Sequence, residues 1–147
     1  MARKTGGDYR LLHVPDRLSE EAYQTLVQDP QIQALVAANR GSRIVLHGIG
    51  DAMAMAKRRK SKETEIDSLR AAGALGEAFG YYFDRSGQIV SKIPTVGLRI
   101  EDVRQAEAVI AVAGGRSKAF AIASVLRGGH RGVLVTDEGA ALDMIRG

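Results

Sequence analysis

Short apolar runs with strand character alternate with segments of helical periodicity along most of this chain. Two of these runs, over 44–47 and 109–113, end at glycines, and a helical pattern restarts directly after each glycine turn. Alternation of this kind predicts an α/β fold with a mainly parallel sheet covered by helices on both faces. Right-handed crossovers would then bring both glycine turns to the carboxyl edge of the sheet, where ligands bind in this fold class.

The same pattern predicts the remaining elements. They are a strand over 9–14, a helix over 19–27, a helix from Pro30, a helix over 64–72, strands over 77–83 and 88–93, a helix over 117–127, a strand over 132–135 and a final helix ending near Ile145. Ser19 and Thr136-Asp137 are the expected caps of the helices that follow them. The helix over 117–127 is expected to bury Phe120, Ala123 and Leu126.

The segment over 77–93 breaks the alternation of strands and helices. A period of two would place Glu77, Phe79, Tyr81 and Phe83 on one face of a single strand, and a turn over 84–87 would lead into the second strand of an antiparallel hairpin. We interpret this hairpin as an insertion into a three-layer, Rossmann-like fold.

Composition narrows the class of protein. The 147 residues are 45% hydrophobic and 26% charged, which is typical of a single globular domain with a real core. The chain has no cysteine, which excludes disulfides, thiol nucleophiles and thiolate metal sites. No apolar run approaches the length of a membrane span, so we expect a cytoplasmic protein that makes no membrane contact.

Charge and histidine spacing say little about a partner. The formal net charge is +4, and much of the excess lies in the basic cluster over 57–62. A solvated helix end explains that cluster, and the lack of tryptophan disfavours a base-stacking surface for nucleic acid. The three histidines, His13, His47 and His130, show no spacing of metal ligands, so neither a metal ion nor a cofactor is expected.

The second glycine turn has the features of an anion site. Gly114 and Gly115 would leave backbone N–H groups free near the positive end of a helix, and Ser117 and Lys118 follow immediately. The spacing differs from that of a Walker A loop. A plain tight turn after a buried strand is the alternative.

The first glycine turn begins like a dinucleotide-binding fingerprint but does not complete it. Met53 stands at the position of the third glycine after Gly48 and Gly50, and no acidic residue closes a strand about 20 residues on. A nicotinamide cofactor is therefore not expected. An anion-binding loop and a structural turn remain open as alternatives.

Charged side chains near these turns are further candidates. Glu77 is either exposed at a strand start or buried with a partner, because a lone buried charge is costly. It could accept hydrogen bonds from sugar hydroxyls, or act as the base of an isomerase. Arg58 and Arg59 end the helix after the first turn, where either could fold back toward a ligand or stay in solvent.

In combination, these segments resemble a known family. The segments over 47–59, 77–83, 110–119 and 133–141 are similar to the effector-binding domain of SorC-type bacterial transcriptional regulators. The resemblance covers the chain from Tyr9 onward. It implies a fold similar to sugar-phosphate isomerases and glucosamine-phosphate deaminases, used for sensing and not for catalysis.

The resemblance also implies a ligand and roles for particular residues. The ligand would be a phosphorylated sugar such as fructose-1,6-bisphosphate, with Arg58 and Lys118 on phosphate and Glu77 on sugar hydroxyls. The predicted ligand-binding residues are Gly48, Gly50, Arg58, Glu77, Phe79, Gly114, Gly115, Ser117 and Lys118. The leading hypothesis is the sensing domain of a repressor that acts as a homo-oligomer. The alternative is a sugar-phosphate isomerase or deaminase with Glu77 as base and Lys118 as phosphate clamp.

Two features of the family have no counterpart in this sequence. Members carry an N-terminal helix-turn-helix and an earlier strand with a phosphate loop rich in serine and glycine. We therefore expect residues 9–147 to be an N-terminally incomplete effector domain, and 1–8 to be disordered or derived from a cloning vector. DNA contact is expected only through a helix-turn-helix that this chain does not contain.

Overall fold

The computed structural model describes residues 2–147 of the chain. The helices are α1 (Ala2–Thr5), α2 (Glu20–Leu26), α3 (Pro30–Arg40), α4 (Ala52–Arg58), α5 (Glu63–Ala71), α6 (Ile100–Gln105), α7 (Ala119–Arg127) and α8 (Glu138–Arg146), and a 3-10 turn spans Arg116–Lys118. The strands are β1 (Ile44–Gly48), β2 (Gly50–Asp51), β3 (Gly76–Ala78), β4 (Tyr81–Phe83), β5 (Ile89–Lys92), β6 (Ala108–Val112) and β7 (Val133–Val135). Of the segment over 1–8, which the sequence predicts to be disordered or vector-derived, Met1 lies outside the described residues and Ala2–Thr5 form α1.

Three strands form the predicted parallel sheet, in the order β1-β6-β7. Strand β6 lies in the centre of this sheet. Its Val112 pairs with Gly48 of β1 on one side and with Val135 of β7 on the other. The prediction of an α/β fold with a parallel sheet is confirmed. The expectation that helices cover both faces of this sheet is wrong for the described residues, because Val45, Val109 and Ala111 on one face are buried whereas Leu46, Val112 and Val135 on the other are exposed. The helix caps are also confirmed, since Ser19 accepts a hydrogen bond from Ala22 N and Asp137 accepts one from Ala140 N.

The segment interpreted as an inserted hairpin belongs to a second sheet. Strands β2, β3, β4 and β5 form a four-stranded antiparallel sheet in that order. The prediction of one strand over 77–83 is wrong, because Phe79 and Gly80 turn the chain between β3 and β4. Their φ values are +56° and +83°, the left-handed pair that closes a two-residue hairpin. Phe79 therefore does not share a strand face with Glu77, whereas the predicted turn into β5 is confirmed.

The predicted strand over 9–14 is also absent from the described structure. The backbone there pairs with no sheet, and Val14 N instead donates to Leu12 O over 3.1 Å within the segment. Tyr9 and Leu11 are exposed. An apolar run forms a strand only where a neighbouring strand offers its hydrogen-bonding edge, and local sequence does not reveal whether one does.

Helix α7 packs between the two sheets and forms the centre of the core. Its buried residues are Ala119, Ala121, Ile122, Ser124 and Val125. The prediction that Phe120 is buried is wrong, because its side chain is 49% exposed and its ring lies 5.6 Å from the Arg85 guanidinium carbon. Among the described helices, none is both long and apolar enough to cross a bilayer.

Candidate functional site

The two glycine turns leave neighbouring strands at the same edge of the parallel sheet. Because Gly48 pairs with Val112, the segments that begin at Gly48 and at Gly114 emerge beside each other at the carboxyl ends of β1 and β6. This edge is where open α/β sheets bind ligands. The sequence prediction that both turns would reach this edge is confirmed, and their adjacency is a finding of the structure.

Glu77 joins the first glycine turn through the antiparallel sheet. Strand β2 pairs with β3 so that Gly50 stands opposite Glu77. A Cβ atom added at Gly50 would collide with the side chain of Met55 and would lie at an ordinary contact distance of 3.5 Å from Glu77 Oε2. The close packing of Met55 is therefore what requires glycine here. Asp51 then caps α4 by accepting a hydrogen bond of 2.8 Å from Ala54 N. The N-terminus of α4 is thus already capped by a carboxylate of the protein itself.

Glu77 is buried, and its partner is Arg59. The residue is 4% exposed, and its Oε1 accepts hydrogen bonds from Arg59 Nη2 over 3.1 Å and from Gly80 N over 2.7 Å. Of the two alternatives for Glu77, burial with a partner is therefore the correct one. Burial alone would lower the pKa of Arg59, but the facing carboxylate more than offsets it and leaves the pKa above its ordinary value.

Arg58 points away from this pair. Its side chain is 71% exposed, and its Nη2 lies 3.8 Å from Asp16 Oδ2. The structure therefore does not bring Arg58 to Glu77, and a phosphate contact for Arg58 stays a prediction. Sequence spacing contained a signal for Arg59, because Ala52, Ala56 and Arg59 recur every three to four residues and all three are buried.

Phe79 packs against His47, and His47 in turn contacts His130, a pairing of histidines that the sequence did not predict. The ring centroid of Phe79 is 4.5 Å from that of His47, which is 5.3 Å from that of His130. Among the described residues, the Nε2 atoms of both histidines are buried without a hydrogen-bond partner. Desolvation is the main reason that the pKa of each histidine lies below the ordinary 6.5. The two histidines are far apart in sequence, so their contact could not be read from spacing.

This pair predicts a loss of stability in mild acid. Since the folded protein holds His47 and His130 neutral, the unfolded chain binds more protons once the pH falls below about 6.5. The free energy of unfolding should be at its full value above that pH and decrease as the pH falls toward the lowered pKa values. Urea denaturation between pH 7.5 and 5 checks this. A His47→Gln/His130→Gln variant should show a flatter profile, and His13→Gln, at an exposed histidine, should keep the wild-type slope.

The second glycine turn is already occupied in part by the protein itself. Gly115 N donates to the Asp137 carboxylate, whose other oxygen caps α8 by accepting 2.9 Å from Ala140 N. A Cβ atom added at Gly114 would collide with that carboxylate. The expectation that the amides of this turn are free is therefore wrong for Gly115. The physical reason is topological, because Asp137 follows β7 and so reaches the same sheet edge.

Ser117 and Lys118 are the side chains after the second glycine turn that could contact an anion. Ser117 is exposed and Lys118 is half-buried in the 3-10 turn, which Lys118 N helps to close by donating to Gly115 O over 2.9 Å. Within residues 2–147 the Lys118 ammonium takes part in no salt bridge, whereas Arg116 lies 3.7 Å from Asp143. An anion at this edge would meet the Lys118 charge and the Ser117 hydroxyl. The Asp137 carboxylate, whose pKa is lowered by the amides of Ala140 and Gly115, would oppose it.

The candidate residues therefore fall into two groups along one edge. Gly50, Glu77 and Phe79 form the first, with Arg59 added by the structure, and the second glycine turn with Ser117 and Lys118 forms the other. A cavity of about 270 Å³ adjoins the first group and is lined by Arg59, Phe79, Gly80 and the segments over 12–16 and 95–98. The described residues contain no cluster of three or more side chains that could hold a metal ion.

Comparison with known proteins gives consistent matches over almost the whole chain. A family model for a sugar-binding domain matches residues 1–146. The chain is 47% identical to the central glycolytic genes regulator of Priestia megaterium and 40% identical to that of Bacillus subtilis. Each alignment covers 99% of this chain and 43% of the regulator, so the chain spans less than half the length of these curated relatives.

Solved structures agree with this result. A SorC family transcriptional regulator from Enterococcus faecalis is 42% identical with a TM-score of 0.89, covering 99% of this chain and 59% of that one. The sugar-binding domain of a transcriptional repressor from Vibrio fischeri is 26% identical with a TM-score of 0.85, covering 99% and 61%.

Proposed function

We propose that this chain, which belongs to the sugar-binding domain family of SorC-type transcriptional regulators, senses a phosphorylated sugar for a bacterial repressor. The observation that carries the proposal is the register of β1 and β6, which sets the two glycine turns side by side. Among the described residues near that edge, Lys118 forms no salt bridge and Glu77 is a buried carboxylate. A sugar phosphate, which carries a terminal phosphate and hydroxyls along its carbon chain, matches both.

The phosphate would bind at the second glycine turn. Lys118 supplies a compact positive charge, and Ser117 supplies a hydroxyl that can donate to a phosphate oxygen. Because Asp137 takes up the Gly115 amide, the lysine and serine side chains carry more of this interaction than the backbone does. Gly114 allows the chain to pass close to the ligand and to Asp137.

The hydroxyl groups of the sugar would meet Glu77 and Arg59. Glu77 Oε1 is held by Arg59 and Gly80, and Oε2 lies toward Gly50. Among the described residues, the Nε atom of Arg59 is buried without a partner, and Arg59 lines the 270 Å³ cavity. A polar ligand reaching this pair could accept from Arg59 and donate to Glu77. Fructose-1,6-bisphosphate is our candidate ligand, because the relatives are named as regulators of central glycolytic genes.

Thermal unfolding with sugar phosphates tests this function. A ligand that binds only the folded state raises the unfolding temperature, so fructose-1,6-bisphosphate should do so and unphosphorylated fructose should not. The same samples are then assayed for interconversion of aldose and ketose phosphates. Stabilisation without turnover supports a sensor. Turnover would favour the isomerase or deaminase alternative, and an unchanged unfolding temperature with every sugar phosphate would contradict both.

The charge of Asp137 should limit phosphate affinity. In Asp137→Asn the one remaining oxygen can still cap α8, while the Gly115 amide loses its acceptor and the negative charge at the second glycine turn is removed, so we expect sugar-phosphate affinity to rise by about fivefold. Asp29→Asn, at the cap of α3, removes a comparable cap charge elsewhere and should leave affinity unchanged. Calorimetric titration measures both. Weaker binding by Asp137→Asn would show that the carboxylate supports the site and does not oppose the ligand.

A further inference from the structure

A second cavity, of about 30 Å³, lies between the parallel sheet and helices α6 and α7. Its volume leaves room for about one water molecule and not for a counter-ion with its hydration shell. His47 and His130 line this cavity, and within residues 2–147 the Nε2 atoms of both are buried without a hydrogen-bond partner. The proposed sugar-phosphate site makes no use of this histidine pair.

The surroundings of the histidine pair oppose a positive charge on either ring. The two ring centroids are 5.3 Å apart. Arg104 of α6 and Arg131, which precedes β7, line the same cavity, and among its described lining residues none is acidic. Two protonated imidazoles would therefore repel each other and both guanidinium groups, with no carboxylate beside them to offset the repulsion.

Direct contacts join the histidine pair to Glu77. The His47 ring packs against the Phe79 ring, with 4.5 Å between their centroids. Phe79 and Gly80 form the turn between β3 and β4, and Gly80 N donates to Glu77 Oε1 over 2.7 Å. Phe79 also lines the 270 Å³ cavity beside Arg59. One aromatic ring is thus part of the wall of both cavities.

Phe79 depends on its neighbours for its conformation. Its φ of +56° lies in the left-handed region, which a residue with a side chain occupies only where surrounding contacts hold it there. The His47 ring is one of those contacts. Movement of His47 toward solvent would remove that contact and allow the turn to relax. The Gly80 amide, which holds Glu77, would then change its position.

We infer that His47 and His130 form a proton-sensitive element that positions the turn at Phe79 and Gly80 and thereby sets the affinity of the Glu77 site for its ligand. This inference rests on the proposed function, because the ligand is the sugar phosphate assigned there. With both rings neutral the turn stays packed and Glu77 keeps its orientation. Protonation separates the rings and lowers the population of the state that binds ligand. His47 is a positioning residue, because it acts on Glu77 through Phe79.

Linkage gives the direction of the effect. The packed state keeps the pKa of each histidine below the ordinary 6.5, mainly through desolvation, so it holds fewer protons than a state with separated rings. The affinity for ligand should therefore have its full value above about pH 6.5 and decrease as the pH falls through the lowered pKa values. By reciprocity, bound ligand should lower the pKa of both histidines further.

Calorimetric titration with fructose-1,6-bisphosphate at pH 7.5 and pH 5.0 tests this inference. The phosphate groups of the ligand also gain protons at about pH 6, so the quantity to compare is the ratio of the two affinities within each protein. We expect that ratio to be at least about threefold larger for the wild type than for His47→Gln/His130→Gln, whose new side chains do not titrate. His13→Gln, at an exposed histidine, is the matched control and should keep the wild-type ratio. The same ratio in the wild type and the double variant would overturn the inference.

Nuclear magnetic resonance of the ligand-free wild type provides a second test that needs no variant. The ring protons of His47 and His130 report their protonation, and the Gly80 amide reports the turn. We expect the Gly80 amide shift to change with the same midpoint as the ring shifts, while circular dichroism shows a folded protein throughout. Histidines that stay neutral down to pH 5, or a Gly80 amide that does not follow their titration, would overturn the inference. If the wild type binds no sugar phosphate at pH 7.5, the proposed function fails, and the Gly80 titration still decides whether the histidines control the turn.

Discussion

Replacement of Arg59 by alanine is expected to lower the free energy of unfolding by about 3–5 kcal/mol. Arg59 and Glu77 have side chains that are 8% and 5% exposed, and their nearest polar atoms are 3.1 Å apart. Without the guanidinium, Glu77 would remain a buried charge held only by the Gly80 amide. The cost arises from that uncompensated charge more than from the lost attraction. Chemical denaturation at pH 7 measures it.

Arg58→Ala is the matched control for this prediction. It removes the same type of side chain from the adjacent position, but the Arg58 side chain is 71% exposed, so the change should stay within about 0.5 kcal/mol. A double variant, Arg59→Met/Glu77→Gln, should recover part of the loss, since it removes both buried charges. If Arg59→Ala proves as mild as Arg58→Ala, the buried pair does not hold the hairpin and the first turn together.

Replacement of Lys118 by alanine should weaken binding of fructose-1,6-bisphosphate by at least about tenfold. Lys118 follows the second glycine turn directly, and in residues 2–147 no carboxylate forms a salt bridge with it. Its removal should therefore cost a charge-assisted contact to phosphate while leaving the fold almost unchanged. Calorimetric titration gives the affinity, and thermal unfolding gives the stability.

Lys92→Ala provides the control for this second prediction, because Lys92 lies on strand β5, away from the edge. Both variants lose one positive charge, so a general electrostatic effect would lower their affinities alike. In that case, a higher salt concentration would bring the affinities of both variants to that of the wild type. If Lys118→Ala and the wild type bind with equal affinity, the phosphate does not bind at the second glycine turn.

The arrangement of the turns was predictable because it depends on rules that act over short distances. Each apolar run before a glycine turn is a strand, and the handedness of crossovers brings their ends to one edge whatever lies between them. The caps at Ser19 and Asp137 follow equally from local chemistry, since their side chains satisfy amides two or three residues away.

The contacts within the site were not predictable, because they depend on residues that are distant in sequence. Asp137 reaches Gly115 across 22 residues, and Glu77 selects Arg59 instead of Arg58 through the packing of α4. The turn at Phe79 and Gly80 was not predicted, because the alternation of side chains with a period of two continues through it in the sequence. Phe79 takes a positive φ that non-glycine residues rarely adopt. In that conformation it packs against His47.

The Asp137 carboxylate changes the physical picture of the ligand site. A turn with free amides would bind an anion through the backbone alone, whereas here one amide is already satisfied and a negative charge stands beside it. In the proposed site, side chains would therefore carry more of the phosphate recognition than the backbone, and a ligand would have to outweigh the repulsion from Asp137. A domain of this kind would respond to a ligand that carries enough negative charge to engage Lys118 strongly and enough hydroxyl groups to reach Glu77.

The most direct test of this account is the change in backbone amide chemical shifts when fructose-1,6-bisphosphate is added to the isotope-labelled protein. Saturable shifts are expected at Gly48, Gly50, Ser117 and Lys118, and little change is expected at Lys60 and Lys62, which make no proposed contact with the ligand. No saturable shift at the glycine turns, or shifts confined to Lys60 and Lys62, would contradict the proposed site.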